Sequence, residues 1–75
     1  MNIYSNLGGD SNVKSYEINS NSIRVMFNDF SIYEYTSSSV GIINLERMKL
    51  LADRGSGLNS FINTTVKKNY SRRIR

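Results

Sequence analysis

The 75-residue chain contains no cysteine, histidine, proline or tryptophan. Without cysteine there is no disulfide and no thiolate zinc site. Without histidine there is no imidazole ligand and no triad base. A domain of this size buries only about 60% of its unfolded surface, and small scaffolds commonly rely on a covalent or metal staple. Here a small, well-formed core or self-association has to take that role. Long apolar runs are also missing, and none approaches the roughly 20 residues of a membrane-spanning helix. Met1 to Asp10 has no basic cluster followed by an apolar stretch, so no signal peptide is expected. The chain reads as soluble and cytoplasmic, with no membrane partner.

Polar residues are abundant, with twelve Ser and ten Asn. The charge is unevenly placed. Residues 1–53 carry six acids and four bases, whereas residues 54–75 carry six bases and no acid. Five of those bases, Lys67, Lys68, Arg72, Arg73 and Arg75, lie in the last nine positions. Such a block favours an anionic partner such as nucleic acid, a nucleotide or an acidic protein face. It also suits a plain helix C-terminus, where cations are stabilising by about 0.3–1 kcal/mol each.

Residues 1–11, with Gly8-Gly9-Asp10, show little periodicity and read as a flexible N-terminal arm with Ile3, Tyr4 and Leu7 as docking points. Three strand-like runs follow: Val13 to Ile18, Ile23 to Phe27 and Phe30 to Thr36. Asn19-Ser20-Asn21-Ser22 separates the first two, and Asn28-Asp29 forms a two-residue hairpin candidate between the second and third. With those loops, Ile18 pairs with Ile23, Tyr16 with Val25 and Glu17 with Arg24. On the other side Phe27 pairs with Phe30, Val25 with Ile32 and Ile23 with Glu34. This register puts Ile23, Val25 and Phe27 on one apolar face. Arg24, Met26, Tyr33 and Tyr35 then share the other.

The second half has helical spacing. Ser37-Ser38-Ser39 offers N-caps for a helix from Gly41 to Asp53, with Ile42, Leu45, Met48, Leu51 and Ala52 along one stripe. Arg54-Gly55-Ser56-Gly57 ends it, a glycine suiting the left-handed position after a helix. Leu58, Phe61, Ile62, Thr65, Val66, Asn69 and Tyr70 give the strongest period in the chain and predict a second helix, which Asn59 or Ser60 could cap. The expected fold is α+β: a three-stranded antiparallel sheet followed by two helices packed on one face. One β-β-β-α-α domain spans residues 12–70, and residues 71–75 form a basic tail.

No catalytic constellation is present, and no Gly-rich phosphate loop: Gly55-Ser56-Gly57 lacks both the lysine and the strand-before-helix setting. Glu17, Glu34, Glu46 and Asp53 read as surface charges. The chain is therefore expected to be a binding protein, not an enzyme, and to need no cofactor or metal. Tyr33 and Tyr35 alternate on one strand and so stand on one face. With Arg24 beside them they could stack bases, each stack worth about 1–3 kcal/mol. Two other readings of the face stay open. The tyrosines could be purely structural cross-strand partners, or the face could pack on a second copy as a homodimer.

The alternating strand Ile23-Arg24-Val25-Met26-Phe27, the Tyr33-Glu34-Tyr35 pattern, the break from Ala52 to Gly57 and the closing segment Ile62-Asn63-Thr64-Thr65-Val66-Lys67-Lys68-Asn69-Tyr70 together resemble the KTSC domain family. The resemblance runs from about Ser11 to Tyr70. Asn28-Asp29-Phe30 stands where that family tends to have a glycine, and Ser37-Ser38-Ser39 where it tends to have proline. KTSC domains occur at the C-terminus of some lysyl-tRNA synthetases and as stand-alone bacterial and phage proteins. The resemblance therefore implies RNA binding. Tyr33 and Tyr35 would stack bases, while Arg24, Lys67, Lys68, Arg72 and Arg73 would meet phosphates. The alternative expectation is a phage-type accessory protein that binds a host protein or sequesters a nucleotide signal.

Overall fold

The hairpin around Asn28-Asp29-Phe30 decides which residues face the core, and it is built one residue differently from the sequence expectation. In the computed structural model, which describes residues 1–9 and 11–75, strands β1 (Asn2–Ile3), β2 (Val13–Asn19), β3 (Ser22–Phe27), β4 (Ile32–Thr36) and β5 (Arg72–Arg73) form one antiparallel sheet in sequential order. The β2–β3 register is as expected, with Tyr16 opposite Val25, Glu17 opposite Arg24 and Ile18 opposite Ile23. The turn is tighter than expected, since Asn19 and Ser22 also pair and leave only Ser20-Asn21 in the loop. Between β3 and β4 the expected pairs are replaced by Ile23 with Tyr35, Arg24 with Glu34 and Val25 with Tyr33.

The loop here has three residues, Asn28-Asp29-Phe30. The Phe27 amide donates to the Ser31 carbonyl at 2.9 Å and the Phe30 amide to the Phe27 carbonyl at 2.9 Å. Phe30 takes φ 69°, the left-handed residue of a three-residue hairpin with its bulge. Because side chains alternate strictly, a one-residue slip turns every side chain of β4 to the opposite face. Tyr33 and Tyr35 therefore sit on the apolar face with Ile23 and Val25, and Glu34 joins Arg24 on the other.

The left-handed conformation costs a non-glycine residue about 1–2 kcal/mol. Phe30 is 53% exposed, and Lys14 Nζ lies 5.4 Å from its ring centroid. Phe30→Gly should therefore stabilise the fold by about 0.5–1 kcal/mol after the entropic cost of glycine, raising Tm by roughly 2–8 °C. A thermal melt that falls would overturn this account of the turn.

One face of the sheet is covered. Thr36 caps α1 (Ser37–Val40): its hydroxyl accepts from the Ser39 amide at 3.2 Å, and the Ser39 hydroxyl accepts from the Thr36 amide at 3.0 Å. After Gly41 the chain enters α2 (Ile42–Arg54), which buries Leu45, Met48, Leu51 and Ala52. Gly55 ends α2 in the left-handed conformation (φ 75°), as its place after the periodic stripe predicts. Then α3 (Leu58–Phe61) runs into a π-helical turn, Ile62–Val66, that buries Ile62 and Val66. The core joins these side chains to Tyr4, Val13, Tyr16, Ile23, Val25 and Tyr35. No helix among the described residues is long and apolar enough to cross a membrane.

Three expectations need correction. The sheet has five strands, not three, because both chain ends add a short edge strand. Asn2–Ile3 pairs with β2, and Tyr4, within the expected arm, is a core residue; Asp10 of that arm lies outside the described residues. The last helix stops at Lys67 and does not reach Tyr70. The run Ile62-Asn63-Thr64-Thr65-Val66 is rich in β-branched residues, which are weak helix formers. The Thr64 hydroxyl also donates back to the Ser60 carbonyl at 2.8 Å, a bond that bends helices. The expected basic helix end is thus a loop, and Arg72 and Arg73 sit on the sheet edge, held by Ser71 N–H to Glu34 O at 2.6 Å and Ile74 N–H to Ile32 O at 2.7 Å.

Candidate functional site

The residues singled out in the sequence divide between the two faces. Arg24 and Arg72 are on the uncovered face and are both paired with Glu34, Arg24 Nε to Oε2 at 3.0 Å and Arg72 Nε to Oε1 at 3.1 Å. Arg24 also lies 3.9 Å from Glu17. The Glu34 side chain is only 13% exposed. The hydrogen bond from Arg24 is the main cause that holds its carboxyl below the usual glutamate range, with Arg72 adding to it. Neither arginine shares a face with the tyrosines, so the expected Arg24–Tyr33–Tyr35 surface does not form.

A glutamate with a lowered folded pKa stabilises the fold fully above its unfolded value and loses that contribution as pH falls through the folded value. Wild-type stability should therefore drop on acidification below pH ~4.5, and Glu34→Gln should show a flatter acid limb. At pH 7 the substitution should cost about 1–2 kcal/mol, since two charge-assisted bonds are weakened. Urea titrations at several pH values in both proteins check this, and identical acid limbs would refute it.

Tyr33, Tyr35, Lys67 and Lys68 come together on the covered side, around a cavity of about 410 Å³. It opens where the π-helical turn and its following loop leave the hairpin end of the sheet uncovered. Phe27 and Tyr70 complete its aromatic wall, and Asp29 and Asn63 add polar groups. Tyr33 and Tyr70 meet edge to face with centroids 4.6 Å apart, and Phe27 meets Tyr33 at 5.8 Å. The Arg73 guanidinium lies 5.4 Å from the centre of the Tyr33 ring. Six aromatic or basic side chains that line the cavity thus come from the β-hairpin and the closing loop, which the topology folds together, and Arg73 of the edge strand stands against one of them.

The two tyrosines have different surroundings. Tyr35 is 2% exposed and forms part of the core. Burial, with Tyr33 and Tyr70 beside it, pushes its phenol up to about 12. Its ring is closed off from stacking and its edge forms the cavity floor. Tyr33 is only half-buried and lines the wall. Asp29 accepts hydrogen bonds from the Ser31 hydroxyl at 2.6 Å and the Ser31 amide at 3.0 Å. These bonds hold it below the ordinary carboxylate range, with a smaller contribution from Arg73, so it stays ionised at neutral pH.

Lys67 sits at the rim with φ 48° and ψ −121°, a conformation that favours glycine. Its amide closes the π-helical turn on the Ile62 carbonyl. Strained residues and π-helical turns both concentrate at functional sites. Sequence reasoning missed Phe27, Asp29, Asn63 and Tyr70 as site residues. Tyr70 read as the last core position of a helix, Phe27 as an apolar-face strand residue and Asp29 as a turn residue, and only the three-residue loop and the π-helical turn bring them to the cavity with Asn63. No family model, curated protein or solved structure matches the chain.

Proposed function

We propose that this chain is a small non-enzymatic module that binds single-stranded RNA or a nucleotide through the cavity between the β3–β4 hairpin and the loop after the π-helical turn. The observation that carries this reading is the meeting of an aromatic wall with two lysines in one opening of about 410 Å³, within the size range of small-molecule sites. A base stacks against Tyr33 and Tyr70, while Asp29 and Asn63 can bond to its polar edge. Lys67, Lys68 and Arg73 supply the positive rim for phosphate. A neighbouring hollow of about 430 Å³ shares Asn63 and is lined by Ser and Asn side chains, so a strand has a path beyond the first nucleotide. The KTSC resemblance points to the same ligand class. Relative to the sequence expectation, Tyr35 moves from stacking to support, and Arg24 and Arg72 drop out of the phosphate-binding set.

Lys67→Gly separates fold from function. Glycine relieves the strain at φ 48°, so Tm should rise by a few degrees. Binding of a fluorescein-labelled RNA of about eight nucleotides should weaken, and the slope of log K against log salt should flatten by about 0.7 for the lost phosphate contact. Anisotropy titrations at three salt concentrations, with AMP as competitor, measure both. An unchanged slope and affinity in Lys67→Gly, or no RNA or AMP binding by the wild type at low salt, would remove the proposal.

A further inference from the structure

The uncovered face of the sheet carries a row of alternating charge. Glu17 on β2, Arg24 on β3, Glu34 on β4 and Arg72 on β5 stand directly opposite one another in register. Their signs run minus, plus, minus, plus. The row is neutral as a whole, which makes it a poor surface for a polyanion. It has another property. A two-fold axis parallel to the strands, placed between β3 and β4, lays the row on a copy of itself in reverse order. Glu17 then faces Arg72 of the second molecule, and Arg24 faces Glu34, at every position plus against minus.

The next row agrees. Met26 and Ile32 are in register, and the Ile74 amide donates to Ile32 O beside them, whereas Ser15 at the end of the row is buried with its hydroxyl on Met1 Sδ at 3.8 Å. The same two-fold places Met26 over Ile32 of the copy, so apolar meets apolar. The intrachain pairing is also uneven. Glu34 receives both close arginine bonds, whereas Glu17 has the 3.9 Å approach of Arg24 and a long 3.5 Å hydrogen bond from Asn19 Nδ2. Arg72 uses its Nε on Glu34 and its side chain stays 62% exposed. The under-partnered acid of one molecule thus meets the exposed guanidinium of the other.

We infer that the open sheet face is a self-complementary contact through which two copies of this chain form an isologous dimer, with Glu17–Arg72 pairs made twice by symmetry. The sheet offers a face about 19 Å across and about 20 Å long, roughly 380 Å² per partner, which is below the size of a stable complex and in the range of weak, transient association. The dimer is accordingly weak and forms only at high protein concentration. The cavity described above lies on the other side of the sheet, so dimerisation leaves both cavities open and does not depend on what they bind.

Charge reversal tests the symmetry. Glu17→Arg places like charges at both symmetric contacts of a homodimer, and so does Arg72→Glu. In a mixture of the two variants, every such contact pairs opposite charges. Light scattering should show the wild-type mass rising from 8.6 kDa toward twice that value as concentration increases. Each variant alone should lose that rise, and their equimolar mixture should regain it. Circular dichroism checks that each variant is folded. A wild type that stays monomeric at millimolar concentration overturns the inference. So do single variants that associate as the wild type does, or a mixture that stays monomeric. Should either variant fail to fold, dilution of the wild type followed by amide chemical shifts decides the matter. Shifts centred on Glu17, Arg24, Met26 and Glu34 support this face; shifts centred on α2 or on the cavity rule it out.

Discussion

Gly55→Ala should lower Tm by roughly 15–30 °C, the effect of losing about 3–5 kcal/mol in a domain of this size. Two causes add. Gly55 has φ 75°, where any L side chain is strained by about 1–2 kcal/mol. A Cβ there would also collide with Ser5 Cβ, so the N-terminal segment has to move away. That segment is tied on both sides of Ser5. The Leu7 amide donates to the Gly55 carbonyl at 2.7 Å. The Leu58 amide donates to the Tyr4 hydroxyl at 3.2 Å, which gives the start of α3 the cap that Gly57 cannot supply. Tyr4 is 3% exposed, and displacing it forfeits most of the roughly 3–5 kcal/mol that an aromatic core side chain contributes.

Gly57 is the internal control. It has φ 85°, but a Cβ there meets only Leu51 Cδ2 at 3.6 Å, an ordinary contact. Gly57→Ala should therefore cost the conformational strain alone, about 1–2 kcal/mol. Thermal melts of both variants give the comparison. Equal losses would mean that the packing of Ser5 against Gly55 contributes nothing to stability.

The elements were largely legible because hydrophobic periodicity and turn residues speak for themselves. The β2–β3 register followed from Ile18, Tyr16 and Glu17 finding sensible partners, and the end of α2 followed from Gly55. The β3–β4 register was not legible. Its three-residue loop needs a left-handed residue at position 30, and phenylalanine gives no hint of that conformation. Both candidate registers left an apolar row facing the helices, so Ile23 and Val25 could not discriminate. Glu34 could have: in the expected register it lay opposite Ile23 on the core side, while the observed one brings it to Arg24. The edge strands were hidden for a different reason. Two-residue strands carry no period, and Arg72-Arg73 reads as a solvated tail until Glu34 is placed beside it. The cavity inherits both difficulties, since Tyr33 reaches it only through the slipped register and Tyr70 only because the last helix stops short.

The two tyrosines of the Tyr33-Glu34-Tyr35 pattern should part company under substitution, and this is the second large effect. Tyr35→Ala removes a ring that is fully enclosed by core side chains. Loss of a buried aromatic costs about 3–5 kcal/mol, a large part of the total stability of a domain this size. Tyr35→Ala should therefore be mostly unfolded at 37 °C, with any loss of RNA binding following from unfolding. Tyr33→Leu keeps apolar bulk against Phe27 and Tyr70 but removes the π-face and its contact with Arg73. Its stability cost should stay near 1 kcal/mol. The stacking that it loses is worth about 1–3 kcal/mol, or roughly 5- to 150-fold in affinity for the labelled RNA. Denaturant titrations and anisotropy on the same samples separate the outcomes. If Tyr33→Leu binds as the wild type does while remaining folded, the aromatic wall is only packing and the ligand enters elsewhere. If Tyr35→Ala stays folded and loses affinity as steeply as Tyr33→Leu, Tyr35 touches the ligand and is not merely the floor beneath it. The surroundings argue for the first partition, because Tyr35 is fully enclosed in the core whereas Tyr33 is half-buried and lines the cavity.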